Sequence, residues 1–83
     1  MAKAEITVTT EWVQIAAGAV VLTITTPGEG VILFNTSASE TAAYRAAEAN
    51  ASAYDQFEQT ESVATFVKAT GAGWVLIADG VLA

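Results

Sequence analysis

The chain has 83 residues, a single-domain length, with 53% hydrophobic residues but only 14% charged and 8% aromatic. Its formal net charge is −6, with three basic side chains and neither cysteine nor histidine. This excludes a disulfide framework, metal ligation by thiolate or imidazole, and catalysis by a cysteine nucleophile or a histidine base. It also argues against a nucleic-acid partner, which requires clustered Lys and Arg.

The first element is expected from Ala4, Ile6 and Val8 on one face and Glu5, Thr7 and Thr9 on the other. Strict alternation with β-branched residues reads as a half-buried strand. Trp12-Val13-Gln14-Ile15 continues the extended character, and Ala16-Ala17-Gly18 is read as a break. Ala19 to Thr26 is the clearest strand, with Val20, Leu22 and Ile24 on one face. It ends at Pro27-Gly28-Glu29-Gly30, where Pro presets φ and Gly permits positive φ. Val31-Ile32-Leu33-Phe34 is apolar without alternation, as expected of a strand buried on both faces. The two strands flanking this four-residue turn are expected to form a hairpin. Asn35 to Ser39 follows as a polar loop of small residues.

The Ala-rich stretch from Glu40 to Asp55 allows two readings. Thr41 to Glu48 has high helix propensity, yet Tyr44 is its only large side chain, so a helix there has no wide apolar stripe for docking. A strand around Ala42–Ala46 followed by an irregular loop through Asn50-Ala51-Ser52 is favoured. Tyr54 to Glu61 is acidic and polar and reads as a surface loop. Ser62 to Thr70 returns to alternation, with Val63, Thr65 and Val67 on one face. Gly71-Ala72-Gly73 is read as a hairpin turn and Trp74 to Ala78 as a second doubly buried strand. Asp79-Gly80 is read as a turn before a short last edge, Val81-Leu82-Ala83. The expected fold is all-β: a single domain over residues 1–83, a small antiparallel sandwich or barrel of six to seven short strands with an irregular Ala-rich middle.

No catalytic constellation is present. Ser37, Ser39, Ser52 and Ser62 have no histidine to activate them. Asp55, Glu58 and Glu61 lie in one polar stretch, but without the glycine and the second acidic cluster of a calcium loop. They read as a solvated face that favours solubility. Gly71-Ala72-Gly73 precedes an apolar run, not a helix start, so it is no phosphate loop. The expectation is a non-enzymatic protein with no cofactor, no metal and no catalytic residue. With no apolar h-region in residues 1–12 and no apolar run near the ~20 residues of a membrane span, neither a secretory leader nor a membrane segment is expected. Synthesis in the cytoplasm and no membrane partner are expected.

Ordering a residue costs about 1.5 kcal/mol against roughly 25 cal/mol per Å² of apolar surface buried, so a domain this small is marginal alone. Assembly with copies of itself, or docking on a larger surface, is the remaining staple. Trp74 is expected in the core. Trp12, Tyr44, Arg45 and Tyr54 are the interface candidates, because Trp, Tyr and Arg supply most interface hot spots. A free-standing carbohydrate-binding module, stacking sugars on Trp12, Tyr44 or Tyr54, is the alternative from a different class.

The order of features carries a resemblance. Thr10-Glu11-Trp12-Val13-Gln14-Ile15-Ala16-Ala17-Gly18 leads into a Val/Thr strand, and an apolar strand ends in Asn35-Thr36-Ser37. Glu61-Ser62-Val63 opens a late strand, and Gly73-Trp74-Val75-Leu76-Ile77 closes the chain. Across most of residues 8 to 79 the chain resembles the small β-sandwich structural proteins of tailed bacteriophages. These serve as head decoration (cement) proteins, fibre bases or tail accessories. The resemblance implies a virion location and a major capsid protein, or a tail or fibre protein, as partner. It also implies many copies on a lattice or a homo-oligomer, and no catalytic residues.

Overall fold

A computed structural model of the chain describes residues 2–37, 44–48 and 55–83, with side-chain surroundings for all of these except 44–48. Seven strands follow one another: β1 (Ala2–Thr7), β2 (Val13–Thr26), β3 (Ile32–Asn35), β4 (Tyr44–Glu48), β5 (Gln56–Gln59), β6 (Thr65–Ala69) and β7 (Val75–Leu82). No helix occurs among the described residues. The strands form one antiparallel sheet in the order β1-β7-β2-β6-β3-β4, with β5 added beside β2. The all-β antiparallel expectation therefore holds.

The long strand β2 organises the fold. Its first residues pair with β6, from Val13↔Val67 to Ala16↔Thr65. Its later residues pair with β7 on one edge, from Val20↔Gly80 to Thr26↔Val75, and with β5 on the other, from Val20↔Gln59 to Thr23↔Gln56. Ala16 is opposite both Thr65 and Leu82 and is fully buried. Residues 56–69 thus run beside β2 as one interrupted strand, with residues 60–64 as an excursion between β5 and β6. A register shift between Gln14 and Ala16 marks a bulge, which bends a strand and increases its twist.

The sheet consequently folds over on itself. The Phe34 ring on β3 lies 4.7 Å from the Phe57 ring on β5, although these strands share no ladder. One apolar cluster joins Leu22 and Ile24 of β2 and Leu76 of β7 to Ile32 and Phe34 of β3 and Val67 of β6. Alternation gives the inward positions: β6 buries Thr65, Val67 and Ala69, and β7 buries Leu76, Ala78 and Gly80. Strand β3 is buried at every position, as its unbroken apolar run requires. Ile24, Ile32 and Leu76 are completely enclosed, so truncating any of them to Ala is expected to cost about 2–5 kcal/mol.

Several expectations are corrected. Ala16-Ala17-Gly18 does not break a strand; it is where a continuous β2 exchanges partners. Gly18 is buried there because the chain passes close to Val81. Neither Pro27–Gly30 nor Gly71–Gly73 closes a hairpin. β2 and β3 do not pair, and neither do β6 and β7. The two turns instead meet each other. Thr70 N donates to Val31 O at 2.9 Å, Val31 N to Thr70 Oγ1 at 2.9 Å, and Glu29 N to Ala72 O at 2.9 Å. These contacts extend the register of the β3–β6 ladder past its last strand pair, Ile32↔Ala69. Among the described strands, only β3 and β4 are consecutive and paired.

Asp79-Gly80 is not a turn but the middle of β7, which is half-buried by alternation and not on both faces. Gly80 has φ +154° and lies opposite both Ala2 and Val20. An added Cβ would stand 2.8 Å from Val20 Cα, so the backbones approach too closely there for a side chain. The acidic stretch read as a surface loop contains β5, whose Phe57 turns inward and whose Gln59 is buried. In the Ala-rich middle, β4 occupies Tyr44–Glu48, two residues later than the strand expected there; the loop expected through residues 50–52 lies outside the described residues.

Candidate interaction surfaces

Of the interface candidates, Trp12, Tyr44 and Arg45 fall on one half of the sheet, built from the start of β2 with β6, β3 and β4. Trp12 precedes β2 and is half-buried. Its ring is covered by Lys68 of β6, whose Nζ lies 5.6 Å from the ring centroid. This is cation–π distance, and the aliphatic stem of a lysine adds apolar cover. Next to it, Gln14 Nε2 donates to Ala16 O at 3.1 Å, capping the bulge. Gln14 is opposite Phe66, Phe66 opposite Asn35, and Asn35 opposite Tyr44, so one cross-strand row runs from β2 to β4. Asn35 is fully buried in this row, and its Oδ1 accepts from Thr36 N at 2.7 Å.

Strand β4 ends the sheet order, which places Tyr44 and Arg45 at a sheet edge. Phe34 pairs with Ala46 and Asn35 with Tyr44, so Arg45 is the residue left over at a bulge. Tyr54 lies outside the described residues. The structure thus joins Trp12 to Lys68, a partner 56 residues away that no local pattern signals. It puts Tyr44 and Arg45 three strands from β2.

A second surface feature was not anticipated. A cleft of about 260 Å³ opens beside β5, lined by Leu22, Phe34, Phe57, Gln59 and Thr65 among others. It is smaller than the roughly 300–1,000 Å³ typical of small-molecule sites. Gln56 and Glu58 also line it, and it contains one buried hydroxyl, Thr65 Oγ1, with no hydrogen-bond partner among the described residues. Gln59 is occupied locally: its Oε1 accepts from Glu61 N at 3.1 Å. Phe57 is the one apolar residue that β5 contributes beside this cleft.

The acidic residues do not converge. Glu58 lies on β5, while Asp55 and Glu61 flank it, and Asp55 O accepts from Ile24 N at 2.9 Å. No group of three carboxylates among the described residues is placed to hold a metal ion. The outer face of the β1-β7-β2 half carries Lys3 and Asp79, 4.0 Å apart and both solvent-exposed. Thr25 Oγ1 donates to Val75 O at 3.2 Å, and Gln56 Nε2 donates to Thr23 Oγ1 at 3.2 Å. Hydroxyls and β-branched groups on that face are held by the sheet itself. No protein-family model matches the chain, and no curated protein or solved structure matches it.

Proposed function

We propose that this chain is a non-enzymatic structural protein of a tailed-phage virion, a head decoration protein that binds the outer capsid surface and stabilises contacts between major capsid subunits. The observation that supports this reading is a sheet ending in two strands, β1 and β4, each paired on one side only among the described residues. Such edges offer backbone hydrogen bonds to a neighbour, and a repetitive shell multiplies weak contacts into avidity. The Tyr44–Arg45 pair on the β4 edge supplies residue types suited to such a contact. Attachment at a tail or fibre would use the same surfaces, and the location of the protein in the particle distinguishes the two. A carbohydrate platform has less support, because the Trp12 ring is covered by Lys68 rather than open for stacking.

The test uses heads assembled with and without the chain. Decoration requires the protein to sediment with intact heads at physiological salt and to raise the temperature at which they burst. Separation from heads, with an unchanged bursting temperature, overturns the reading. Tyr44→Ala and Arg45→Ala are then expected to weaken binding by roughly 1–2 kcal/mol each if β4 is the contact.

A further inference from the structure

We infer that two copies of this chain associate through their β1 strands, antiparallel about a twofold axis at Ala4, with Lys3 of each copy opposite Glu5 of the other. The inference stands apart from the virion reading and concerns the purified chain alone.

Backbone direction fixes which residues can pair. Val8 N donates to Trp74 O at 2.9 Å, continuing the β1–β7 register beyond Thr7↔Val75. In an antiparallel ladder the closely bonded positions alternate. Even-numbered residues of β1 therefore turn N–H and C=O toward β7. Lys3, Glu5 and Thr7 turn theirs to the other side, where no described strand lies. A second β1 can bond only to these odd residues. A twofold axis then leaves three central registers. Centring on Lys3 opposes lysine to lysine, and centring on Glu5 opposes glutamate to glutamate. Centring on Ala4 opposes Lys3 to Glu5 twice. Like charges directly opposite destabilise a sheet and unlike charges stabilise it, so the sequence selects the Ala4 register.

The other face agrees. Ala4 and Ile6 are half-buried on the inner side, and Ile6 packs against the core. In the Ala4 register Ile6 meets Ala2 of the second copy, covering apolar surface that the monomer leaves partly open. Lys3 keeps its neighbour Asp79 and gains a second carboxylate. The β5 edge has no comparable solution, because its outward residues, Gln56 and Glu58, include no cation. A lysine on an edge strand commonly blocks pairing; here its spacing from Glu5 makes it self-complementary.

The interface is small and the net charge of −6 opposes it, so a dissociation constant on the order of 10–100 µM is expected. Sedimentation equilibrium across that range measures it. Lys3→Glu and Glu5→Lys should each weaken the dimer about tenfold. The double swap K3E/E5K, which leaves the net charge at −6, should restore it to within about threefold of the starting chain. An unaltered chain provides a second readout. Amide exchange at Lys3 and Glu5, but not at Ala4, should slow as concentration rises. A chain that stays monomeric throughout, a double swap no tighter than the single variants, or exchange insensitive to concentration overturns the inference.

Discussion

The indole Nε1 of Trp74 donates to the carbonyl oxygen of Glu29 at 2.8 Å, bonding the residue just before the last strand to the turn after β2. Trp74 is almost completely buried, and its ring is the largest enclosed side chain among the described residues. Trp74→Phe removes this bond and leaves a void where the larger ring stood. A loss of about 2–3 kcal/mol is expected in urea denaturation. A loss below about 0.5 kcal/mol would show that the two turns hold together without the indole.

Two buried glycines should respond differently to the same substitution. At Gly80 the obstacle is backbone, namely the Ala19 carbonyl and Val20 Cα, at an unfavourable φ of +154°. At Gly18 it is the Val81 side chain, 3.2 Å from an added Cβ and itself exposed enough to turn away. Gly80→Ala should therefore cost about 2 kcal/mol or more, and Gly18→Ala under about 1 kcal/mol. Thermal melts of the pair provide the comparison, and equal losses would contradict it.

The unpartnered Thr65 hydroxyl is a buried polar atom with no compensation. Thr65→Val keeps the shape and the strand propensity while removing that atom. The expected effect runs from neutral to about 1 kcal/mol of added stability. A clear destabilisation would mean that a water in the cleft satisfies the hydroxyl, and deuterium exchange of neighbouring amides would then register its loss.

Lys68→Ala uncovers the Trp12 ring. Both residues are half-buried, and the stability change should be about 1 kcal/mol. The tryptophan emission should nonetheless shift to longer wavelength, because Trp12 gains solvent while Trp74 stays enclosed. No shift would argue that the lysine stem does not shield the ring.

Strand identity was largely readable from alternation: Ile6, Val20–Ile24 and Thr65–Ala69 announce their buried faces through a period of two. Strand pairing was not. Proline and glycine at 27–30 and 71–73 encode a local change of direction, whereas the partner of a strand is chosen by side chains far away in the chain. Hence both turns lie where their proline and glycine residues put them, yet neither closes a hairpin. β5 escaped because Gln56-Phe57-Glu58-Gln59 has one apolar residue in four, and its place is held by backbone bonds to β2. The candidate surface shows the same division. Trp12 stands out by residue type, but the lysine that covers it comes from β6, and the cleft beside β5 depends on Phe34 meeting Phe57 across the fold.

β7 lies between β1 and β2, although it begins 49 residues after β2 ends and 68 after β1 ends. β1 therefore has no neighbour among the described strands until β7, far along the chain, is available to pair. Closing that half joins strands far apart in the chain, and such non-local topologies fold slowly. A nascent chain arrested before Val75 should remain protease-sensitive and lack β-sheet circular dichroism. Release of β7 would then bring the two halves together in a single cooperative step.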